Sequence, residues 1–288
     1  MVNVPKINSI CTEKHIRFNY ANLVDMCCKF NADNFGGELM NYIIKYGRNF
    51  MAISNSIEAD CHKHWLLQMF LSSQKLSIEV NGQLIPCSAI LINMNILHTV
   101  KAEGESHFTI LVDSTTELGR KMSELLMDQP YYIFPQEKTM EMQKNFINAL
   151  EQKSNNAILS FAKSITLQFS SYHMKDFDDR VVKVLNSLDD CLHEDEFHQI
   201  KNLSKKVSLS ESRLAHLFKD ETGIPLKSYI VLHKLLGAYE SIFNGENITT
   251  AALSAGFDSP SHLAYTNKMM TGMSATNILK DSEFLKVY

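Results

Sequence analysis

The sequence predicts an α+β protein: an N-terminal β-barrel followed by amphipathic helices, then a C-terminal all-α domain with two helix-turn-helix motifs. Three observations predict it. Apolar residues between about Met51 and Val112 come in short runs, several of them alternating. From Thr116 onward the spacing becomes helical. In the last third of the chain one helix-turn-helix pattern occurs twice with matching landmarks, which chance rarely produces. A length of 288 residues suits two domains, divided here as 1–174 and 175–288.

Strand candidates in the first domain are Phe50 to Ile53, Leu66 to Leu71, Leu76 to Val80, Ala89 to Ile92 and Phe108 to Val112. Asn81-Gly82 stands between the Leu76 run and Gln83-Leu84-Ile85, a two-residue hairpin signal because both positions favour positive φ. Short strands at this spacing suggest a barrel or sandwich. Helical stretches follow at Thr116 to Met127 and from Lys138 to Tyr172, punctuated by Pro130 and Pro135. The longer stretch is expected to pack on the barrel and offer a dimerisation surface, before a linker near Lys175 to Asp178.

The first helix-turn-helix runs from Leu203 through Lys219 and closes at Gly223; the second runs from Ala251 through Lys268 and closes at Gly272. Ser210 and Ser259 are suited to cap the second helix of each copy, since a hydroxyl accepts an amide that the helix start leaves unpaired. In the first copy Leu214, Leu217 and Phe218 fall on one face, leaving Ser212, Arg213, His216 and Lys219 outward. Arginine there suits bidentate bonds to guanine, and lysine suits phosphate. In the second copy Leu263 points inward and Ser261, His262, Tyr265 and Lys268 outward or to the flank. Thr266 and Asn267 fall on its inward side, and a buried asparagine requires hydrogen-bond partners. The same faces also describe ordinary amphipathic surface helices.

The segment from Asp179 to Leu285 resembles the DNA-binding domain of AraC/XylS-type transcription regulators. The shared landmarks include Leu203-Ser204, Ser210, Leu214, Phe218-Lys219, Gly223, Tyr229, Ala238, Ala252, Gly256-Phe257, Ser259, Lys268 and Gly272. The resemblance implies a long linker helix, here Lys234 to Phe243, that sets two recognition helices at adjacent major grooves. The chain departs from the family at Leu263 and Asn267, where phenylalanine is usual, at Ala275, where proline is usual, and at Lys234, where arginine is usual.

The first half resembles a cupin-type sensor domain. Cys61-His62-Lys63-His64, then Gln68, then His98, follow the spacing of the two cupin metal motifs. Histidines two apart on a strand share a face, and a third could complete an imidazole-rich site. Gln68 replaces the usual glutamate, and the motif glycines are mostly absent. The pattern therefore favours His62, His64, Gln68 and His98 as lining an effector pocket or satisfying the core over holding a metal; if a metal binds, its ligands are His62, His64 and His98. Trp65, of opposite facing, reads as packing.

Composition is that of an ordinary globular chain, 45% hydrophobic and 21% charged. No apolar run reaches membrane-span length and no signal-peptide core is present, so the cytoplasm of a bacterium, with nucleoid association, is expected. Cys11, Cys27, Cys28, Cys61, Cys87 and Cys191 show no framework spacing and read as reduced thiols, with Cys27-Cys28 buried in preference to redox-sensing. A net charge of −4 argues mildly against DNA, but the cations concentrate locally at Lys201, Lys205, Lys206, Arg213, Lys219, Lys227 and Lys234. Acidic residues gather upstream at Asp189, Asp190, Glu194, Asp195 and Glu196. The first motif is thus expected to supply most of the electrostatic affinity.

These readings combine into a sequence-specific transcription regulator, an effector-controlled activator by resemblance, and not an enzyme. Its expected partners are double-stranded DNA, a second copy of the chain and, for an activator, RNA polymerase. No cofactor is expected beyond a small-molecule effector. The alternatives are a cupin metalloenzyme fused to a DNA-binding tail and a regulator controlled by a partner protein.

Overall fold

The computed structural model describes residues 41–170, 176–189, 199–274 and 282–287. The expectations for Cys11, Cys27-Cys28, Tyr172, Asp190, Cys191, Glu194 to Glu196 and Ala275 lie outside them.

Five long-range strands build the first domain: β1 (Asn41–Tyr46), β2 (Asn49–His62), β3 (Leu66–Val80), β4 (Gln83–Ile92) and β5 (His98–Asp113). Short β6 (Tyr131–Ile133) and C-terminal β7 (Ser282–Val287) complete one sheet of order β6-β4-β3-β5-β2-β1-β7. The two runs expected as separate strands, Leu66 to Leu71 and Leu76 to Val80, form a single strand. A register shift between Leu71 and Leu76 breaks the alternation there, and another interrupts the β3–β5 ladder between Ser72 and Ile78. Such irregularities bend a strand and let a sheet curl. At the β3–β4 turn both Asn81 (φ 50°) and Gly82 (φ 79°) are left-handed, as the hairpin signal required.

The curled sheet has a core on each face. Phe70, Ile78, Val80, Ile90, Ile92 and Val100 fill its inner side. Leu67, Met69, Leu71, Phe108, Ile110 and Val112 face outward and are covered by helices. Period-two alternation along β3 and β5 sends neighbours to opposite cores. The covering helices are α1 (Glu117–Leu126), α2 (Gln136–Glu151) and α3 (Asn155–Leu167). The single stretch expected from Lys138 to Tyr172 is therefore two helices, with Lys153 at positive φ in the turn and Ser154 capping α3. Buried Met142, Phe146 and Ala149 on α2 keep helical spacing. Gly119 lets α1 approach the end of β5, since a Cβ there would collide with the Asp113 carbonyl.

The helical domain comprises α4 (Asp179–Asp189), α5 (Ile200–Lys206), α6 (Glu211–Thr222), α7 (Leu226–Phe243), α8 (Ile248–Ser254) and α9 (Pro260–Thr271). One core gathers Val181, Val184, Leu203, Leu214, Phe218 and Tyr229 around the first motif; a smaller one gathers Leu235, Ala238, Ala252, Phe257 and Leu263 around the second. Helix α7 belongs to both and is longer than the linker read from the sequence, starting at Leu226 rather than Lys234. After this domain the chain returns as β7, which pairs in parallel with β1 and buries Leu285 in the barrel's outer core.

The two domains meet at a buried polar cluster. Asp113, at the end of β5, is 1% exposed. Its carboxylate accepts from Thr115 Oγ1 (2.7 Å) and Tyr229 OH (3.0 Å) and pairs with Arg48 Nε (3.3 Å). Arg48 also donates to Asp189 of α4 (2.9 Å) and to Thr115 Oγ1 (3.1 Å). Burial opposes its charge, but Tyr229, Asp113 and Asp189 together raise its pKa. Arg48→Met would leave Asp113 buried without its cation, a defect of about 3–5 kcal/mol. A urea titration should show that loss in unfolding free energy; an unchanged value would mean that Asp113 is hydrated.

Candidate nucleic-acid interface and barrel cavity

Helices α6 and α9 are built alike. Ser210 Oγ accepts from the Arg213 amide (3.3 Å) and Ser259 Oγ from the His262 amide (3.1 Å). Gly223 (φ 77°) and Gly272 (φ 69°) end the helices in the left-handed conformation, their amides donating to Lys219 O (2.8 Å) and Lys268 O (3.0 Å). Pro260 occupies the first turn of α9, where its missing N–H costs no bond.

Ser212, Arg213, His216 and Lys219 are exposed on α6, while Leu214 and Phe218 are buried and Leu217 is half-buried against the core. On α9, Ser261, His262, Tyr265 and Lys268 are exposed, and Leu263 is buried. The two outward faces are not equivalent electrostatically. His262 Nδ1 lies 3.1 Å from Asp258 Oδ2. Lys268 Nζ donates to Asp60 Oδ2 of the barrel and to Gly272 O (2.9 Å), so its charge is turned toward β2.

The departures in the second unit have local answers. Asn267, 1% exposed, accepts from Tyr239 OH of α7 and donates to Met273 O (2.9 Å). The inward asparagine thus ties α9 to α7 where an aromatic side chain would only pack. Lys234 reaches the turn of the second motif and donates to Gly256 O (2.6 Å).

Residues 203–281 match the model of the helix-turn-helix domain. The C-terminal part of the chain is an AraC-type helix-turn-helix domain. No curated protein sequence matches the chain. Among solved structures, an apo variant of ToxT from Vibrio cholerae strain SCE256 is 10% identical, with a TM-score of 0.51 over 81% of this chain and 97% of that one. ToxT from Vibrio cholerae O395 is 11% identical, with a TM-score of 0.50 over 85% of this chain and 98% of that one. At such identity the likeness is one of fold: a β domain followed by a helical domain in the same order.

Between the AraC-type domain and the barrel lies a cavity of about 200 Å³. Its barrel wall includes Phe50, Ile53 and Phe70, and its helical wall Leu235, Tyr239 and Phe243. Among the described residues its lining contains no lysine or arginine. His62, His64 and Gln68 open into it. Trp65 does not; it packs against the core of the first helix-turn-helix unit, as its facing implied.

The structure brings His62, His64, His98 and Gln68 together on the inner face. All four are buried, and one ring nitrogen from each histidine lies within 4.8 Å of the others. Gln68 Oε1 is 3.0 Å from His64 Nε2 and 2.8 Å from His98 Nε2. On the far side of each ring, His62 Nδ1 faces Asp60 O (2.7 Å) and His98 Nδ1 faces Ile96 O (2.9 Å). His64 Nδ1 is 3.0 Å from Leu66 O and 3.3 Å from the Leu66 amide. A carbonyl only accepts, so His62 and His98 carry their proton on Nδ1 and present the Nε2 lone pair inward.

Burial pushes the His64 pKa down to about 4 and that of His98 to about 3, and lowers that of His62. These rings are neutral when folded and gain protons when the chain unfolds, so stability is complete above pH 6.5 and falls as the pH drops toward 4. Between pH 6.5 and 5 the loss should be about 2 kcal/mol for each of His64 and His98. Urea unfolding of chelator-treated protein at the two pH values checks this; equal stabilities would place the rings in water.

Sequence reading missed Arg48, Asp113, Asp60 and the barrel side of Gly272. The signal was faint: an aspartate ending the apolar Phe108 to Val112 run, and a lone arginine in the β1–β2 turn.

Proposed function

We propose that this protein is a sequence-specific DNA-binding transcription regulator whose two reading helices, α6 and α9, enter successive major-groove segments under the control of a small molecule held between the domains. The observation that carries this reading is the pair of helices capped alike, one in each of two helix-turn-helix units that α7 links. Helix α7 has 18 residues, about 27 Å at the usual rise, comparable with the ~34 Å of one DNA turn. Ser212, Arg213, His216 and Lys219 form the first contact set; Ser261, His262, Tyr265 and Lys268 form the second.

The apolar walls, with His64, Gln68 and Thr109 among the described lining residues, support an apolar effector with an uncharged polar group. Because the cavity has one wall in each domain, a ligand there has different contacts in docked and undocked arrangements, as control of an equilibrium requires. Met140 and Ile147, both exposed and seven residues apart on α2, support this face as the contact between two copies.

Selection of binding sites from random duplexes tests the reading. Arg213→Ala should lower discrimination at one base position by roughly 1–3 kcal/mol, whereas unaltered specificity would remove it from base reading. Lys219→Ala should weaken all sequences alike and flatten the salt dependence; a loss confined to one sequence contradicts the phosphate role. Met140→Glu should shift the sedimentation coefficient from dimer to monomer, and an unshifted dimer places the contact elsewhere.

A further inference from the structure

The two helix-turn-helix units can be compared with each other position by position. Helices α6 and α9 each have 12 residues, start on a serine cap and close on a left-handed glycine, so they align without a gap. Leu214, Leu217 and Phe218 of α6 then correspond to Leu263, Thr266 and Asn267 of α9, on the inward side of each helix. The outward positions correspond as well: Arg213 to His262, His216 to Tyr265, Lys219 to Lys268 and Asp220 to Met269, all of them exposed.

The chemistry of the two faces differs. Helix α6 shows solvent an arginine, a histidine, a lysine and an aspartate. Helix α9 has no arginine, and its lysine, Lys268, is turned to Asp60 of the barrel. Its outward face centres on Tyr265, 67% exposed, with Met269, 55% exposed, beside it. Four residues apart on a helix, these two are neighbours and make one apolar strip. A methionine and a tyrosine ring left in water forgo the free energy that burial gives. His262 bounds the strip, its Nδ1 3.1 Å from Asp258 Oδ2 and its ring edge-on to Phe257 at 5.3 Å. A carboxylate only accepts, so that ring keeps a proton on Nδ1, and the neutral ring offers a lone pair at Nε2.

These features match one kind of base-pair edge. The thymine C5-methyl is the apolar group of the major groove, and the adenine paired with it presents an N6 amino donor. An apolar strip packs on the methyl, and the Nε2 lone pair of His262 suits the amino group. Guanine O6 and N7 ask instead for donors, which Arg213 of α6 supplies.

We propose that α9 reads thymine, with Tyr265 and Met269 packing on C5-methyl groups, while α6 reads guanine through Arg213. One bound chain therefore requires two groove segments of unlike base composition. The inference rests on the proposed role of α6 and α9 as readers, and adds which base the second one selects and with which side chains.

Deoxyuridine in place of thymidine tests it, because it pairs with adenine in the same way and lacks only the methyl. Full-length protein is titrated against a site selected from random duplexes, with the thymines replaced in one protected groove segment at a time. Replacement in one segment should weaken binding roughly fourfold for each methyl contacted, and replacement in the other by less than about twofold. Tyr265→Ser combined with Met269→Ser should bind the thymine and uracil sites alike; both positions are exposed, so the core is untouched. Arg213→Ala should keep the native preference for thymine. Equal affinity of the native protein for both sites, or a preference that survives the double substitution, overturns the assignment. So does dissociation of a dimer by the double substitution with the preference intact, which places the strip between two copies. Failure to select any sequence would remove the reader together with its preference, a result distinct from a selected site that is blind to the methyl.

Discussion

The arrangement of the two domains depends on one buried carboxylate. Asp113 ends a strand whose preceding residues are apolar and sits where β5, α1 and α7 converge. A charge in such a place is tolerable only when paired and hydrogen-bonded. Its partners come from both domains: Thr115 and Arg48 from the barrel side, Tyr229 from the linker helix. Arg48 passes the connection on to Asp189 of α4. The network therefore positions the first helix-turn-helix unit through geometry that hydrophobic contact alone would leave loose. Trp65 and Met94 of the barrel side add apolar contact with the core of that unit.

The second unit is held by weaker means. Its core is smaller, Phe50 of β2 meets it only through Tyr239 and Phe243 of α7, and α9 itself meets β2 at the Gly272 cap and an exposed Lys268–Asp60 pair, which as a solvent-exposed pair contributes little. An apolar cavity, rather than packed side chains, fills much of the space between it and the barrel. The first unit is thus anchored by a buried network, and α9 is retained by a backbone cap and a solvent-exposed pair. This asymmetry matches the charge distribution, since Arg213 and Lys219 stay outward on α6 whereas Lys268 is turned toward a carboxylate.

Much of this was legible in the sequence because it rests on local rules. The serine caps, the closing glycines and the outward faces of α6 and α9 follow from three- and four-residue spacing, and the Asn81-Gly82 turn from backbone sterics. The convergence of His62, His64, Gln68 and His98 was readable from alternation and motif spacing. What escaped is non-local. β1 and β7 are six-residue strands that pair across nearly the whole chain, and no pattern within either announces the partner. Asp113 and Arg48 are ordinary charged residues until the fold buries one against the other. The hydrogen bonds that satisfy Asn267 come from Tyr239 and Met273, on different segments.

If α6 and α9 act as one reader, each bound chain spans two successive groove segments. Hydroxyl-radical and methylation footprinting of the full-length protein on a site selected from random duplexes should then show, for each bound chain, two protected major-groove segments about one helical turn, or about 10–10.5 base pairs, apart, with the α6 segment the more strongly protected. Protection of one segment only, or a footprint indifferent to sequence, would contradict it.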